Sequence, residues 1–306
     1  MSESVSAGYV ERSPLPPLRI LTETKANPLH PDRNEDAIFK DENSGAVIML
    51  DGMGGLKNGD RASQAAGAFI LEHLKGIPED TPYQQAGKLM HQTLVEASNY
   101  VQKQVPEGGT TATCVKLIRA GKGFEAVIGH VGDSRAYVIR RHGRERLLQI
   151  ITEDDMAVYQ GLLPERRKKL QEKFDRITDK ELQGGLLNMV RRRAFLSKQE
   201  ANLFIKRNQL TQFLGAMPDP SALRPHIYYR SLDPSRGDAL LLSSDGLDNL
   251  ALGEVETIVN SFGIDLLAQK LVEAAYAKSL QFKYKKSGQL TRSRYDDISV
   301  AVARAA

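Results

Sequence analysis

Ile48-Met49-Leu50-Asp51-Gly52 and Leu240-Leu241-Leu242-Ser243-Ser244-Asp245-Gly246 share one form: an apolar strand, an aspartate at its end, then glycine. The strand buries its side chains, the aspartate points from its tip, and glycine lets the backbone come close to an ion. Carboxylate and main-chain carbonyl oxygens are the ligands that hard cations such as Mg²⁺ and Mn²⁺ prefer. A single Asp-Gly is far more often a tight turn. Two apolar strands that both end this way, with no lysine or arginine beside them, point to a cation site instead. The glycines from Gly52 to Gly59 do not make a nucleotide loop. Gly54 and Gly59 have the right separation, but Asp60-Arg61 stand where Lys-Ser/Thr is required.

Outward from these stretches, two more acidic motifs, Asn34-Glu35-Asp36 and Asp296-Asp297, fall where strands begin. Helical spacing predicts a helix over 61–74, with Asp60 as a candidate cap, and a second over 83–104 that carries Ala86, Met90, Leu94, Ala97 and Val101 on one face. Strands are expected at 124–131 and 136–140, flanking Gly132-Asp133-Ser134, and again at 226–231, 239–243 and 298–303. A further helix is expected over 264–280. Leu170, Phe174 and Ile177, then Leu182, Leu186 and Val190, suggest a helical segment between residues 156 and 210. The simplest organisation is a flexible arm over 1–17 followed by one α+β domain with that helical insertion.

Composition is that of an ordinary globular chain: 306 residues, 41% hydrophobic, 26% charged. No apolar run approaches the roughly 20 residues that span a bilayer, and the first residues lack the apolar core of a signal peptide. A single cysteine, Cys114, excludes an internal disulfide framework and favours the cytoplasm. It reads as a core thiol. Six scattered histidines and one thiol leave no zinc-binding pattern, so a bound metal must rely on carboxylates. Residues 156–210 hold 13 Lys/Arg against 6 Asp/Glu, a local +7 in a chain of net +4. Such a block either draws in phosphorylated partners or is a solvated helical face. Nucleic acid is disfavoured, since no aromatic platform accompanies the charge.

Taken in order, Arg33-Asn34-Glu35-Asp36-Ala37, Leu50-Asp51-Gly52-Met53-Gly54-Gly55, Gly109-Thr110-Thr111-Ala112, Gly132-Asp133-Ser134-Arg135-Ala136-Tyr137, Ser243-Ser244-Asp245-Gly246-Leu247 and Asp296-Asp297-Ile298-Ser299 resemble the motifs of the PPM-type, or protein phosphatase 2C-like, serine/threonine phosphatases of bacterial type. The resemblance spans about residues 18–303. It implies a central β-sandwich of two antiparallel sheets flanked by helices, with the 156–210 insertion as a basic helical flap. It also implies a phosphatase domain over 18–306. By the same resemblance Asp51 bridges two Mg²⁺ or Mn²⁺ ions, the Gly52 carbonyl binds one, and Asp245 and Asp296 bind the other. Glu35 and Asp36 hold the cations' waters, and Asp133 with Asp245 matches a third-metal site. The implied activity is hydrolysis of phosphoserine and phosphothreonine in proteins by cation-activated water, opposing a serine/threonine kinase.

Three departures bear on substrate handling. The family often has a phosphate-binding arginine five residues before Asp36, where this chain has Pro31. Arg33 either substitutes for it or is taken up by solvent or a salt bridge. Met53 stands where animal members carry a histidine, and Asp154-Asp155-Met156 replaces Asp-His-Ser. The alternative reading is a catalytically weak regulatory module of the same fold that binds a partner through the basic insertion.

Overall fold

Both decisive strands are apolar on both faces because each is covered on both sides. β3 (Ala46–Asp51) turns Val47 and Met49 into one core and Ala46, Ile48 and Leu50 into another. β11 (Ala239–Ser243) turns Leu240 and Leu242 into the first of these and Ala239 and Leu241 into a third. The alternation of a half-exposed strand is therefore missing from the sequence. The computed structural model describes residues 17–53, 58–120, 123–178, 197–205, 209–217, 219–281 and 295–305.

The two sheets are antiparallel. One runs β1 (Leu18–Lys25), β12 (Ile298–Ala305), β11, β7 (Arg135–His142), β8 (Glu145–Ile150). The other runs β10 (His226–Leu232), β6 (Gly123–Val131), β5 (Ala112–Ala120), β3, β2 (Asp36–Asp41). Short β4 (Gly109–Thr110) and β9 (Leu214–Gly215) pair beside them. Facing side chains such as Met49, Val115, Ile128, Val138, Leu242 and Ala301 fill the space between the sheets. α1 (Gly59–Lys75) and α2 (Tyr83–Gln104) cover the outside of the second sheet. α5 (Leu252–Ser261) and α6 (Leu267–Gln281) cover the outside of the first. This is the α+β sandwich that the motif order implies.

Boundaries differ in instructive ways. α1 starts at Gly59, with Asn58 in the left-handed region at φ 66°, so Asp60 sits inside the first turn and is not the cap. There its charge still favours the helix N-terminus. The expected 264–280 helix is a 3-10 turn over Ile264–Leu266 leading into α6. α5 has Ala251, not Ser, Thr, Asp or Asn, at its N-cap, so the position that would signal a start is apolar. Its opening is held instead by Glu254, whose carboxylate accepts from the Ala251 N–H at 2.9 Å.

The flap segment is described over α3 (Pro164–Arg176) and α4 (Lys198–Ile205), and its two ends meet in a bridge between Met156 and Leu210. Leu170, Phe174 and Ile177 pack with Met156, Val158, Tyr159 and Phe204 in a cluster separate from the three sandwich cores. Arg166, Lys168 and Lys169 are exposed on the other face, and Arg167 lies 3.6 Å from Glu153. Leu182, Leu186, Val190 and Arg191 to Arg193 lie outside the described residues, as do Gly54 and Gly55. Cys114 is fully buried in β5, and burial pushes its thiol pKa up, away from thiolate chemistry. Among the described residues no helix is long and apolar enough to cross a membrane.

His130 on β6 is fully buried between the Thr113 hydroxyl (3.0 Å) and the Glu153 carbonyl (3.1 Å). Burial lowers its pKa to about 4 from an ordinary 6.5. Between those values the unfolded chain binds a proton that the folded chain refuses, so this residue costs stability as pH falls from 6.5 towards 4. The stability deficit of His130→Gln relative to wild type should therefore shrink on acidification, by up to about 3 kcal/mol. Urea unfolding of both proteins at pH 7 and pH 4.5 reads the difference, and a deficit independent of pH would contradict the assignment.

Candidate metal centre

One end of the sandwich collects the carboxylates. Asp51 closes β3, Asp36 opens β2, Asp133 follows β6, Asp245 follows β11, and Asp296 and Asp297 precede β12. A cavity of about 560 Å³ there is lined by Glu35, Asp51, Asp133, Asp245, Asp296 and Asp297, with the Gly52 backbone. His30 and Arg33 are the cationic or potentially cationic side chains on the same wall.

The backbone beneath is closely held. The Asp51 N–H donates to the Thr111 hydroxyl at 3.0 Å, and the Asp51 carbonyl accepts from the Thr111 N–H (2.9 Å) and the Thr110 hydroxyl (3.0 Å). Thr111 in turn meets Ser134 at 2.7 Å, which ties β3 to the turn carrying Asp133. That turn is pinned from behind. The Gly132 N–H donates to Asp155 at 2.9 Å, and the Asp155 N–H returns to the Gly132 carbonyl at 2.7 Å. The Gly52 N–H donates to the Glu35 carbonyl at 3.1 Å, which also accepts from Ser63 at 2.7 Å. A Cβ on Gly52 would collide with the carbonyls of Gly59 and Glu35, so only glycine lets this backbone lie so close.

Asp297 is a residue whose part the motifs alone did not reveal. Its carboxylate accepts from the Asn27 and Glu35 N–H groups, both at 2.6 Å, and so fastens the loop before β2 to the start of β12. Its own N–H donates to Asp296 at 3.1 Å. The sequence signal was the second aspartate of the pair, but nothing local says which of the two serves the backbone.

The electrostatics follow from the register. Asp36 lies directly across from Asp51 in the β2–β3 ladder, and like charges in that relation destabilise a sheet. Asp51 has its pKa raised well above the usual carboxylate range, first by burial and then by Asp245, Asp36, Asp296 and Asp133. Asp36 is buried behind the cavity, not on its wall. Burial pushes it up to about 8, opposed by the Ser244 hydroxyl nearby and reinforced by Asp297. Among the described residues neither Asp36 oxygen reaches a partner in good hydrogen-bond geometry. Glu35 is also raised, chiefly by burial, with Arg33 opposing.

Among the described residues no three of these side chains already form a closed cage for an ion. The fit to a hard cation rests on the oxygen-only donor set, the carboxylates gathered around Asp51 and the close backbone at Gly52. Of the sequence-predicted residues, Glu35, Asp51, Gly52, Asp133, Asp245 and Asp296 line this one cavity, whereas Asp36, expected to hold a cation's water, is buried behind it. Arg33 is there too, but as a salt bridge: its Nη2 lies 2.6 Å from Glu35 and 3.1 Å from Asp60.

Comparison with known proteins agrees with this fold. The Protein phosphatase 2C family pattern matches residues 31–281. The serine/threonine phosphatase stp of Listeria monocytogenes is 25% identical over 238 residues, covering 76% of this chain and 79% of its own. The crystal structure of the serine/threonine phosphatase Stp1 from Staphylococcus aureus superposes with a TM-score of 0.64 at 22% identity, over 94% of each chain. The catalytic domain of the serine threonine protein phosphatase PstP, solved in complex with two manganese ions, gives 0.60 at 20% identity, over 94% of this chain and 98% of that one. The two-sheet sandwich is thus the fold of solved serine/threonine phosphatases, one of them in complex with two manganese ions. The chain belongs to the protein phosphatase 2C family.

Proposed function

We propose that this chain, a serine/threonine protein phosphatase by its family, hydrolyses phosphoserine and phosphothreonine in proteins at the cavity lined by Glu35, Asp51, Asp133, Asp245 and Asp296. The observation that carries this is the ring of carboxylates around Asp51, whose mutual repulsion divalent cations would relieve. In this reading Asp51 and the Gly52 carbonyl, with Asp245 and Asp296, hold two Mg²⁺ or Mn²⁺ ions, and Asp133 with Asp245 holds a third. When bound, the ions would acidify water and stabilise in-line displacement at phosphorus.

The chain's own residues do the placing. Thr111, Ser134 and Asp297 fix the backbone that presents the ligands, Glu35 orients water at the rim, and Asp36 backs Asp51 from directly across the β2–β3 ladder. Arg33 sits on the cavity wall, and exchanging its bridge to Glu35 for a substrate phosphate would make it the group that replaces the arginine missing at Pro31. A regulatory module of the same fold is the weaker reading, since a set of buried like charges kept without a cation would only cost stability. The substrates are then phosphoproteins acted on by a serine/threonine kinase in the cytoplasm. The catalytic unit is residues 18–306, with 156–210 as the flap; the arm expected over 1–17 lies, but for its last residue, outside the described residues.

A panel of phosphopeptides with Mn²⁺ tests the substrate assignment. Phosphate release from phosphoserine and phosphothreonine peptides is expected to exceed that from matched phosphotyrosine peptides. Equal or greater release from phosphotyrosine would reject the assignment.

A further inference from the structure

Arg135 opens β7 two residues after Asp133 and is 5% exposed. Its Nε and Nη2 donate to the two oxygens of Asp154 at 2.9 and 2.6 Å. Its Nη1 lies 3.0 Å from Asp175 and 3.0 Å from Asp248. The three carboxylates come from three different places. Asp154 belongs to the segment that leads into the flap, and Asp175 to the flap helix α3. Asp248 lies in the short 3-10 turn Asp245–Asn249, the same turn that begins with the proposed metal ligand Asp245.

The described apolar side chains of the flap form their own cluster, distinct from the sandwich cores. Among the described residues, two other ion pairs from α3, Arg176 to Glu256 at 3.7 Å and Arg167 to Glu153 at 3.6 Å, are longer and more exposed. The Asp175–Arg135 contact is the buried ion pair between α3 and the sandwich among the described residues. Guanidinium is a planar fork, so its two edges cannot be aimed independently. With Asp154 on one edge and Asp175 and Asp248 on Nη1, it is held at both ends. Without Asp175, Nη1 follows Asp248 alone, and the turn gains freedom to shift.

We infer that Arg135 is a positioning residue coupling the flap to the cation site: seating Asp175 on Arg135 fixes the Asp245–Asn249 turn and so raises the affinity for the cation held by Asp245. This rests on the metal-centre reading above. A flap that responds to a docked phosphoprotein would thereby adjust the metal centre, and by reciprocity a bound cation would steady the flap.

The test is a calorimetric Mn²⁺ titration of substrate-free protein, paired with amide hydrogen exchange over α3. Asp175→Ala keeps a strong helix former in α3 while removing the acceptor. It should weaken at least one Mn²⁺ site by about five- to tenfold, and Asp175→Asn, which retains an acceptor oxygen, should recover most of that loss. In wild type, Mn²⁺ should slow exchange across residues 164–176, and in Asp175→Ala it should not. If α3 of Asp175→Ala comes apart, Asp248→Ala leaves the helix untouched, removes the acceptor on the turn, and should uncouple Mn²⁺ from α3 protection in the same way. Equal Mn²⁺ affinity in wild type and a folded Asp175→Ala overturns the coupling while the metal centre stands. No Mn²⁺ binding by wild type overturns both.

Discussion

Asp51→Asn is expected to abolish phosphatase turnover, with a loss on the order of a thousandfold or more in kcat. The charge stabilisation a catalytic cation supplies is worth several kcal/mol, and each 1.4 kcal/mol is a factor of ten. Replacing the shared carboxylate by an amide removes the charge that both proposed ions require. The same substitution should raise the melting temperature of the metal-free protein by several degrees. Burial and four neighbouring carboxylates make a charge at position 51 costly in the folded state, and the unfolded chain bears no such cost. Loss of activity with gain of metal-free stability is a signature that ordinary misfolding cannot produce. Wild-type turnover of Asp51→Asn at saturating Mn²⁺ would show that the ligand assignment is wrong.

Gly246→Ala is expected to have the second largest effect, and through shape alone. A Cβ there would be driven into the Asp297 carbonyl, with the Ile298 side chain close behind. Carbonyl and strand cannot swing aside as a flexible side chain would, so the turn after Asp245 and the start of β12 must separate. Overpacking of this kind costs about 1–3 kcal/mol. The displacement falls between Asp245 and Asp296, and a misplacement of about 1 Å can cost 100-fold in rate. Turnover should therefore fall by about that factor in a protein that still folds, with weaker Mn²⁺ binding. Activity and Mn²⁺ affinity equal to wild type would mean that the two aspartates need not be held together.

Much of the architecture was legible because strand ends and catalytic chemistry coincide. The apolar runs before Asp51 and Asp245 located β3 and β11, and α2 fell where its apolar stripe placed it. The helix α5 was not foreseen, since its capping contact comes from Glu254 acting on an alanine, which leaves no polar residue at the start to notice. Six ligand candidates could be read in order because each sits in a short motif. The Asp297 tether and the Arg135 cluster could not, because their partners lie far away in sequence: 262 and 270 residues for Asp297, and 19 and 113 for Arg135 with Asp154 and Asp248. Such contacts are products of tertiary packing and carry no local pattern. The role of Arg33 was open in the sequence for the same reason, and its bridge to Glu35 and Asp60 depends on how α1 seats against the loop before β2.

Metal dependence is the claim on which the account turns, and phosphate release from a phosphothreonine peptide measures it directly. Wild-type protein treated with chelator and desalted should release no phosphate above buffer, and Mn²⁺ should restore activity in a saturable way. Asp245→Asn carried through the same cycle should remain inactive at every Mn²⁺ concentration. Full turnover by the chelated wild-type protein, unchanged when Mn²⁺ is returned, would contradict the account.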